Sequence, residues 1–140
     1  MDNTPAATRN EVDAYLRKVR AAIASPLIPG SEGWVFVRRD KNKACLLSLC
    51  LTLGDVREVI MNLTIDNYCA GPCHDNDQPG ELWEFGGNVE GREIYIKLKL
   101  AEFGQLNGVR VISFHEAERC LAYPFKKQKE LGDDEGSDEK

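Results

Sequence analysis

The decapeptide GREIYIKLKL, at positions 91–100, alternates between apolar and polar side chains. A strand with this pattern places Tyr95, Lys97 and Lys99 on one face, with roughly 7 Å between alternate positions. Lysine ammonium groups stabilise the negative charge that develops on a phosphate during its transfer. His115 ends the next alternating segment, and histidine is the side chain best suited to titrate near neutral pH. The pattern therefore predicts a cation and a proton carrier on one sheet face.

Glu84 adds a carboxylate to this set. It lies between Trp83 and Phe85 in ELWEFG, and alternation turns it away from both rings, which we predict to be core together with Phe114. Positioned acid and base groups contribute about 10²–10⁴-fold to a rate. Glu84 and His115, with a lysine as the cation, could cleave RNA without a metal by attack of the ribose 2′-hydroxyl. The alternative is that all of these residues form an ordinary solvated strand face.

Further RNA contacts are predicted outside this segment. The densest run of cations is RRDKNK, with Arg38, Arg39, Lys41 and Lys43; these side chains could bind phosphates or line a solvated strand edge. Tyr123 could stack on a base or anchor the C-terminal segment. We predict RNA binding by Arg38, Arg39, Lys41, Lys99 and Tyr123.

The cysteines give no clear metal site. There are five of them, an odd number, and without an export signal we expect reduced thiols. Cys69, Cys73 and His74 have the side-chain types that bind zinc, but a fourth ligand is not evident. No Gly-x-x-x-x-Gly-Lys-[Ser/Thr] phosphate loop occurs. We expect no metal and no cofactor.

The spacing of apolar residues changes along the chain, from helical spacing in the first part to strand alternation in the second. Residues 8–24 have apolar positions at helical spacing, with Thr8 or Asn10 as a possible cap. A Pro- and Gly-containing breaker follows at 25–33, and then a short strand at 34–39. Residues 44–63 are predicted to form two helices, the second starting near Asp55, with a strand as the alternative for 45–51. Residues 68–81 are predicted to be a loop, followed by strands at 81–85, 91–100 and 108–114. The order indicates an α+β fold, with N-terminal helices on one face of a small antiparallel sheet.

Composition limits the class of protein. The chain has 140 residues and a net charge of −5, of which its last ten residues contribute −4 through five acidic residues and one lysine. The rest is nearly neutral, so composition offers no basic footprint for nucleic acid. We predict a single domain over residues 1–130 and a disordered acidic tail at 131–140. Without a membrane span or signal peptide, we expect a cytoplasmic protein.

Three segments carry a resemblance to a known family: DNYCAGPCHDNDQPGELWEFG, GREIYIKLKL and VISFHEAERCLAYPFKK. In this order and spacing they resemble the motility quorum-sensing regulator (MqsR) toxins of bacterial type II toxin–antitoxin systems, from about Arg38 to Lys127. The resemblance implies a RelE-like α+β fold. It also implies a metal-independent endoribonuclease that cuts messenger RNA, and a cognate antitoxin protein encoded alongside.

The resemblance also implies site residues. The family's catalytic tyrosine corresponds to Tyr95, and the basic residue after the final Ser-Phe corresponds to His115, where well-known members have lysine. The polar residue after the strand tryptophan corresponds to Glu84. The chain departs from the pattern at Ala70, where members commonly have a lysine, although His74 or a sheet lysine could supply the charge. A second hypothesis is therefore a non-catalytic module on the same fold that binds RNA or protein.

Overall fold

The computed structural model describes residues 6–25, 33–78, 80–103 and 106–126. Most of the predicted breaker and the whole predicted acidic tail lie outside these ranges. The described helices are α1 (Arg9–Ala24), α2 (Asp40–Leu49) and α3 (Leu53–Met61), followed by a 3₁₀ turn, Ile65–Asn67. The strands are β1 (Trp34–Phe36), β2 (Tyr68–His74), β3 (Glu81–Val89), β4 (Arg92–Phe103) and β5 (Leu106–Glu116).

Local sequence explains where the helices begin. The Thr8 hydroxyl accepts a hydrogen bond from the Glu11 N–H, and the Glu11 carboxylate accepts one from the Thr8 N–H, at 3.1 and 2.8 Å. Thr52 and Asp55 form the same reciprocal pair at the start of α3, and such pairs satisfy N–H groups that the helix leaves free. The two helices predicted over 44–63 are confirmed, although α2 begins four residues earlier, and the strand alternative for 45–51 is wrong. None of the described helices combines the length and apolar character needed to cross a membrane.

The five strands form one mixed sheet in the order β1-β5-β4-β3-β2. Strands β2 to β5 pair antiparallel with their neighbours, whereas β1 pairs parallel with β5. The predicted α+β class is confirmed, but the prediction of a purely antiparallel sheet is wrong at this edge. A parallel pair requires a long crossover, and here all of α2, α3 and β2 to β4 lie between β1 and β5 in the chain.

The predicted loop at 68–81 is wrong over its first half, because Tyr68–His74 forms strand β2 on β3. The pairing is irregular, with one register shift between Tyr68 and Ala70 and a second between Ala70 and Cys73, which spans the Gly71-Pro72 dipeptide. An edge strand tolerates proline and glycine because only one of its sides needs ladder hydrogen bonds. The Gly and Pro residues of this segment therefore favoured a loop prediction, although the segment forms an edge strand.

One face of the sheet is covered by helices. Tyr15 of α1 stacks on Trp83 of β3 with ring centroids 4.2 Å apart. Val59 of α3 approaches the same face beside Ile96. The buried side chains of this face are Tyr68, Trp83, Phe85, Ile94, Ile96, Leu98, Val109, Val111 and Phe114. Because neighbouring residues in a strand face opposite ways, the polar residues between them point to the opposite face.

Asn42 connects α2 to the sheet. Its side chain is fully buried; the amide nitrogen donates to the Val37 and Ile112 carbonyls at 2.9 and 3.0 Å, and the amide oxygen accepts from the Phe114 N–H at 3.0 Å. β5 has a register shift beside Ile112, between the pairs Lys97–Ser113 and Leu98–Val111. The Asn42 side chain thus replaces β1 as the hydrogen-bond partner of the β5 backbone, just past the point where β1 ends.

We predict that Asn42→Ala lowers the free energy of unfolding by about 3 kcal/mol, because it leaves a buried carbonyl and a buried N–H of β5 without partners. Urea unfolding measures the change. Asn62→Ala is the matched control, since its exposed amide makes one hydrogen bond, to the Glu58 carbonyl at 2.7 Å, and should cost below about 1 kcal/mol. Equal losses in the two variants would contradict this account of Asn42.

Candidate active site

A cavity of about 910 Å³ lies on the sheet face that the helices leave open. Its floor is formed by Glu84, Tyr95, Lys97, Ser113 and His115 of strands β3 to β5. One wall is the start of α2, residues 39–42, and another is the segment after β5, where residues 118, 119 and 121 contribute. All four predicted catalytic residues line this one cavity.

Strand register brings the floor residues together. Tyr95 lies opposite His115, and Lys97 lies between Glu84 and Ser113 in the adjacent row. Glu84 lies on the face opposite Trp83 and Phe85, which are buried as predicted. The four predicted catalytic residues therefore lie together on the open face of the sheet, while their catalytic roles stay predictions.

Tyr95 is held in its protonated form. Burial raises the pKa of the Tyr95 phenol well above its usual value of 10, and the negative charge of Glu84 and a hydrogen bond to its carboxylate raise it further. The Tyr95 ring centroid lies 5.5 Å from that of His115 and 5.9 Å from Lys97 Nζ. Tyr95 can therefore donate a hydrogen bond or stack on a base, but it cannot act as the base near neutral pH.

The His115 ring is oriented by its own strand end. Its Nδ1 lies 2.9 Å from the Glu116 backbone carbonyl. A carbonyl oxygen only accepts, so Nδ1 carries the proton of this hydrogen bond. In the neutral ring Nε2 is then the acceptor. The second nitrogen of His115 is thereby available to take up a proton.

Ala70 stands where the family pattern commonly has a lysine, and its place in the sheet is next to the candidate site. Ala70 lies opposite Glu84 on β2, next to the cavity floor. His74, the suggested replacement cation, is exposed at the far end of β2 opposite Glu81 and does not line the cavity. Of the two suggested sources of charge, the structure places the sheet lysine, Lys97, in the cavity.

The basic run divides between the cavity and the surface. Arg39 and Lys41 line the cavity, whereas Arg38 is exposed outside it. Lys41 Nζ lies 2.5 Å from Glu118 Oε2, and Lys43 lies 3.9 Å from the Asp40 carboxylate. Two of the four cations are therefore placed where they could contact a ligand in the cavity.

Lys99 does not join Tyr95 and Lys97. Its side chain is only 5% exposed, and its ammonium donates a hydrogen bond of 2.7 Å to Asp75. Gly80 lies against the same side chain. The expectation that Lys99 faces the ligand is thus corrected, because Asp75 and Gly80 cover it.

Tyr123 is in the anchoring position that we considered as the alternative to base stacking. Its hydroxyl donates a hydrogen bond of 2.7 Å to the Glu93 carboxylate, and its ring lies over Gly86, where a β-carbon would collide with it. The Leu121 N–H also points to Glu93, at 3.4 Å, and Phe125 stacks on Tyr68 at 5.5 Å. These contacts fix the segment after β5 as a wall of the cavity.

The five cysteines are free thiols. Burial raises the pKa of Cys69 to about 12, with the charges of Glu84 and Glu93 contributing, and burial also raises the pKa of Cys73. Neutral thiols are poor metal ligands. Over the described ranges, no group of three or more His, Cys, Asp or Glu side chains is placed to hold a metal ion.

Sequence reasoning missed several residues of the cavity. Ser113 has the same parity as His115 on β5, so extending the alternation by one step would have found it. Glu118, Arg119 and Leu121 follow the strand in an irregular segment, where no periodic signal exists.

Comparisons with family models, with curated proteins and with solved structures give no match.

The Asp75–Lys99 pair predicts a pH dependence. The hydrogen bond from Lys99 is the main cause that lowers the pKa of Asp75 to about 2, from about 3.9 in an unfolded chain. The ionised carboxylate therefore stabilises the fold above about pH 4, and this contribution is lost as the pH falls toward 2. We expect the difference in unfolding free energy between the native chain and Asp75→Asn to narrow from pH 5 to pH 3, as measured by urea unfolding.

The control for this titration is Asp13→Asn, which breaks the exposed α1 ion pair between Asp13 and Arg17 at 2.9 Å. Solvent screens this pair, so the stability difference should be small at both pH values. A gap between the native chain and Asp75→Asn that stays constant from pH 5 to pH 3 would count against the buried pair.

Proposed function

We propose that this chain is a metal-independent endoribonuclease with a RelE-like fold, acting on messenger RNA as the toxin of a type II toxin–antitoxin system. The observation that carries the proposal is the convergence of Tyr95, Lys97, His115 and Glu84 in one cavity. The resemblance to MqsR-type toxins adds support, because three of these positions correspond to residues of the family pattern.

The reaction needs a base, an acid and a cation. In the proposed step His115 Nε2 takes the proton of the ribose 2′-hydroxyl, whose oxygen forms a bond to phosphorus. The bond from phosphorus to the 5′-oxygen breaks. Glu84 is assigned the opposite transfer: in this step it starts as the protonated carboxylic acid, gives its proton to the 5′-oxygen and becomes the carboxylate. Lys97 stabilises the charge on the phosphate, and Tyr95, which keeps its proton, orients the phosphate or stacks on an adjacent base.

The proposal includes an antitoxin partner. A free ribonuclease of this kind would damage its own host, so we expect a tight complex with a protein encoded by the neighbouring gene, in the cytoplasm. Induced expression should arrest growth, and the neighbouring gene should relieve the arrest. Purification from the native operon as a lone chain would speak against this partner.

One observation favours the non-catalytic alternative. Ala70 leaves the site beside Glu84 without a cation from β2, and Lys41 is already paired with Glu118. A cavity with fewer available cations could bind RNA or protein without cleaving it. Cleavage assays with and without EDTA, and with variants of the two histidines, distinguish this binding module from an enzyme.

The first test concerns metal. Long single-stranded RNA incubated with the purified chain should be cleaved equally well with and without EDTA, because the proposed acid, base and cation are all side chains. The products should end in a 2′,3′-cyclic phosphate or a 3′-phosphate, which gel mobility after phosphatase treatment distinguishes. Activity that EDTA abolishes and Mg²⁺ restores would contradict the proposal, and no cleavage at all would favour the binding module.

The second test concerns the histidines, of which the chain has two. His115→Ala should lower the cleavage rate by about 10²-fold or more, the contribution expected of a general base. His74→Ala is the matched control and should cleave at the native rate, since His74 lies outside the cavity. Circular dichroism should show both variants folded. Native activity in folded His115→Ala would require another proton carrier.

A further inference from the structure

The cations of the cavity differ in whether they already have a partner. Lys41 is paired with Glu118, and the Lys97 ammonium lies near the Tyr95 ring. Arg39 and Arg119 also line the cavity. Over the described ranges neither makes an ion pair within 4 Å or a side-chain hydrogen bond, although the charge of Arg119 is a minor cause that lowers the pKa of Glu118. Two cations are thus available for an anion from solution.

The backbone around both arginines is fixed. Arg39 directly precedes α2, whose first turn is tied to β5 by Asn42. Arg119 follows Glu118, in the segment that Glu93 holds through Leu121 and Tyr123. The Lys41–Glu118 ion pair joins these two segments directly. The two arginines therefore lie on neighbouring walls of the cavity.

Guanidinium chemistry indicates the ligand. An arginine side chain presents a planar set of donors that matches the oxygens of a phosphate and can bind two of them at once. The floor beside these arginines carries Tyr95 and His115, whose rings are 5.5 Å apart. A polymer with phosphates along its backbone and flat bases fits both features, as single-stranded RNA does.

We propose that Arg119, together with Arg39, binds a backbone phosphate of single-stranded RNA adjacent to the phosphate that is cleaved. This inference rests on the proposed function for the identity of the ligand. It assigns a substrate-binding role to a residue outside the sheet, on the wall formed after β5. The strand of RNA then runs from the floor of the cavity toward the two walls that carry Arg39 and Arg119.

The probe for the test is a short single-stranded RNA with 2′-O-methyl riboses, which lacks the 2′-hydroxyl nucleophile and so reports binding without cleavage. Fluorescence anisotropy gives its affinity at several salt concentrations. Arg119→Gln should bind about tenfold more weakly, and the slope of log affinity against log salt should decrease in magnitude by about 0.7, the value of one phosphate contact on a single strand. Arg119→Lys, which keeps the charge, should keep the slope and bind with intermediate affinity.

Arg17→Gln is the matched control. It removes the same charge from an exposed position on α1, which packs on the opposite face of the sheet, and it should bind like the native chain. Native affinity and slope in Arg119→Gln would overturn the inference. An equal loss in Arg17→Gln would also overturn it, because the effect would then be one of overall charge.

The same variants separate this inference from the proposed function. Cleavage of unmodified RNA is measured independently. Arg119-dependent binding without cleavage by the native chain would support the phosphate contact and contradict the nuclease. Cleavage by the native chain, with both binding and cleavage unchanged in Arg119→Gln, would contradict the contact and leave the nuclease standing.

Discussion

The buried amide of Asn42 is the contact on which the geometry of the cavity depends. β1 pairs with only three residues of β5, and beyond this point the outer edge of β5 needs other partners for its polar groups. Asn42 hydrogen-bonds two of these groups, the Ile112 carbonyl and the Phe114 N–H, and its third hydrogen bond goes to the Val37 carbonyl just after β1. A satisfied hydrogen bond adds about 1 kcal/mol, whereas an unsatisfied buried group costs more. The first turn of α2 is consequently held beside Ser113 and His115, where it forms a wall.

The two faces of the sheet have different physical roles. Aromatic and branched side chains on one face pack against α1 and α3 and exclude water, which is the main stabilising contribution to the fold. On the other face, polar side chains are half-buried between two walls. This partial burial raises the pKa of the Tyr95 phenol, while the exposed edge of the cavity keeps Lys97 and the arginines accessible.

Two ion pairs show how position changes the effect of the same contact. The Asp75 and Lys99 side chains are 13% and 5% exposed, so their pair closes part of the open face and removes Lys99 from the cavity. The Lys41–Glu118 pair is 64% exposed on both sides and is screened by solvent. Its contribution is to join α2 to the segment after β5, with Arg39 and Arg119 close to either end.

Short-range sequence patterns encode the local features of this protein: the capped helices, and the faces on which Tyr95, Lys97 and Glu84 lie. Capping pairs span three residues, and strand alternation has a period of two, so neither depends on the rest of the chain. Four features became visible in the folded chain alone: β2 is a strand, β1 runs parallel to β5, Asp75 covers Lys99, and Arg119 lines the cavity. Each of these depends on contacts between residues far apart in the sequence, and no local pattern of side chains encodes such contacts.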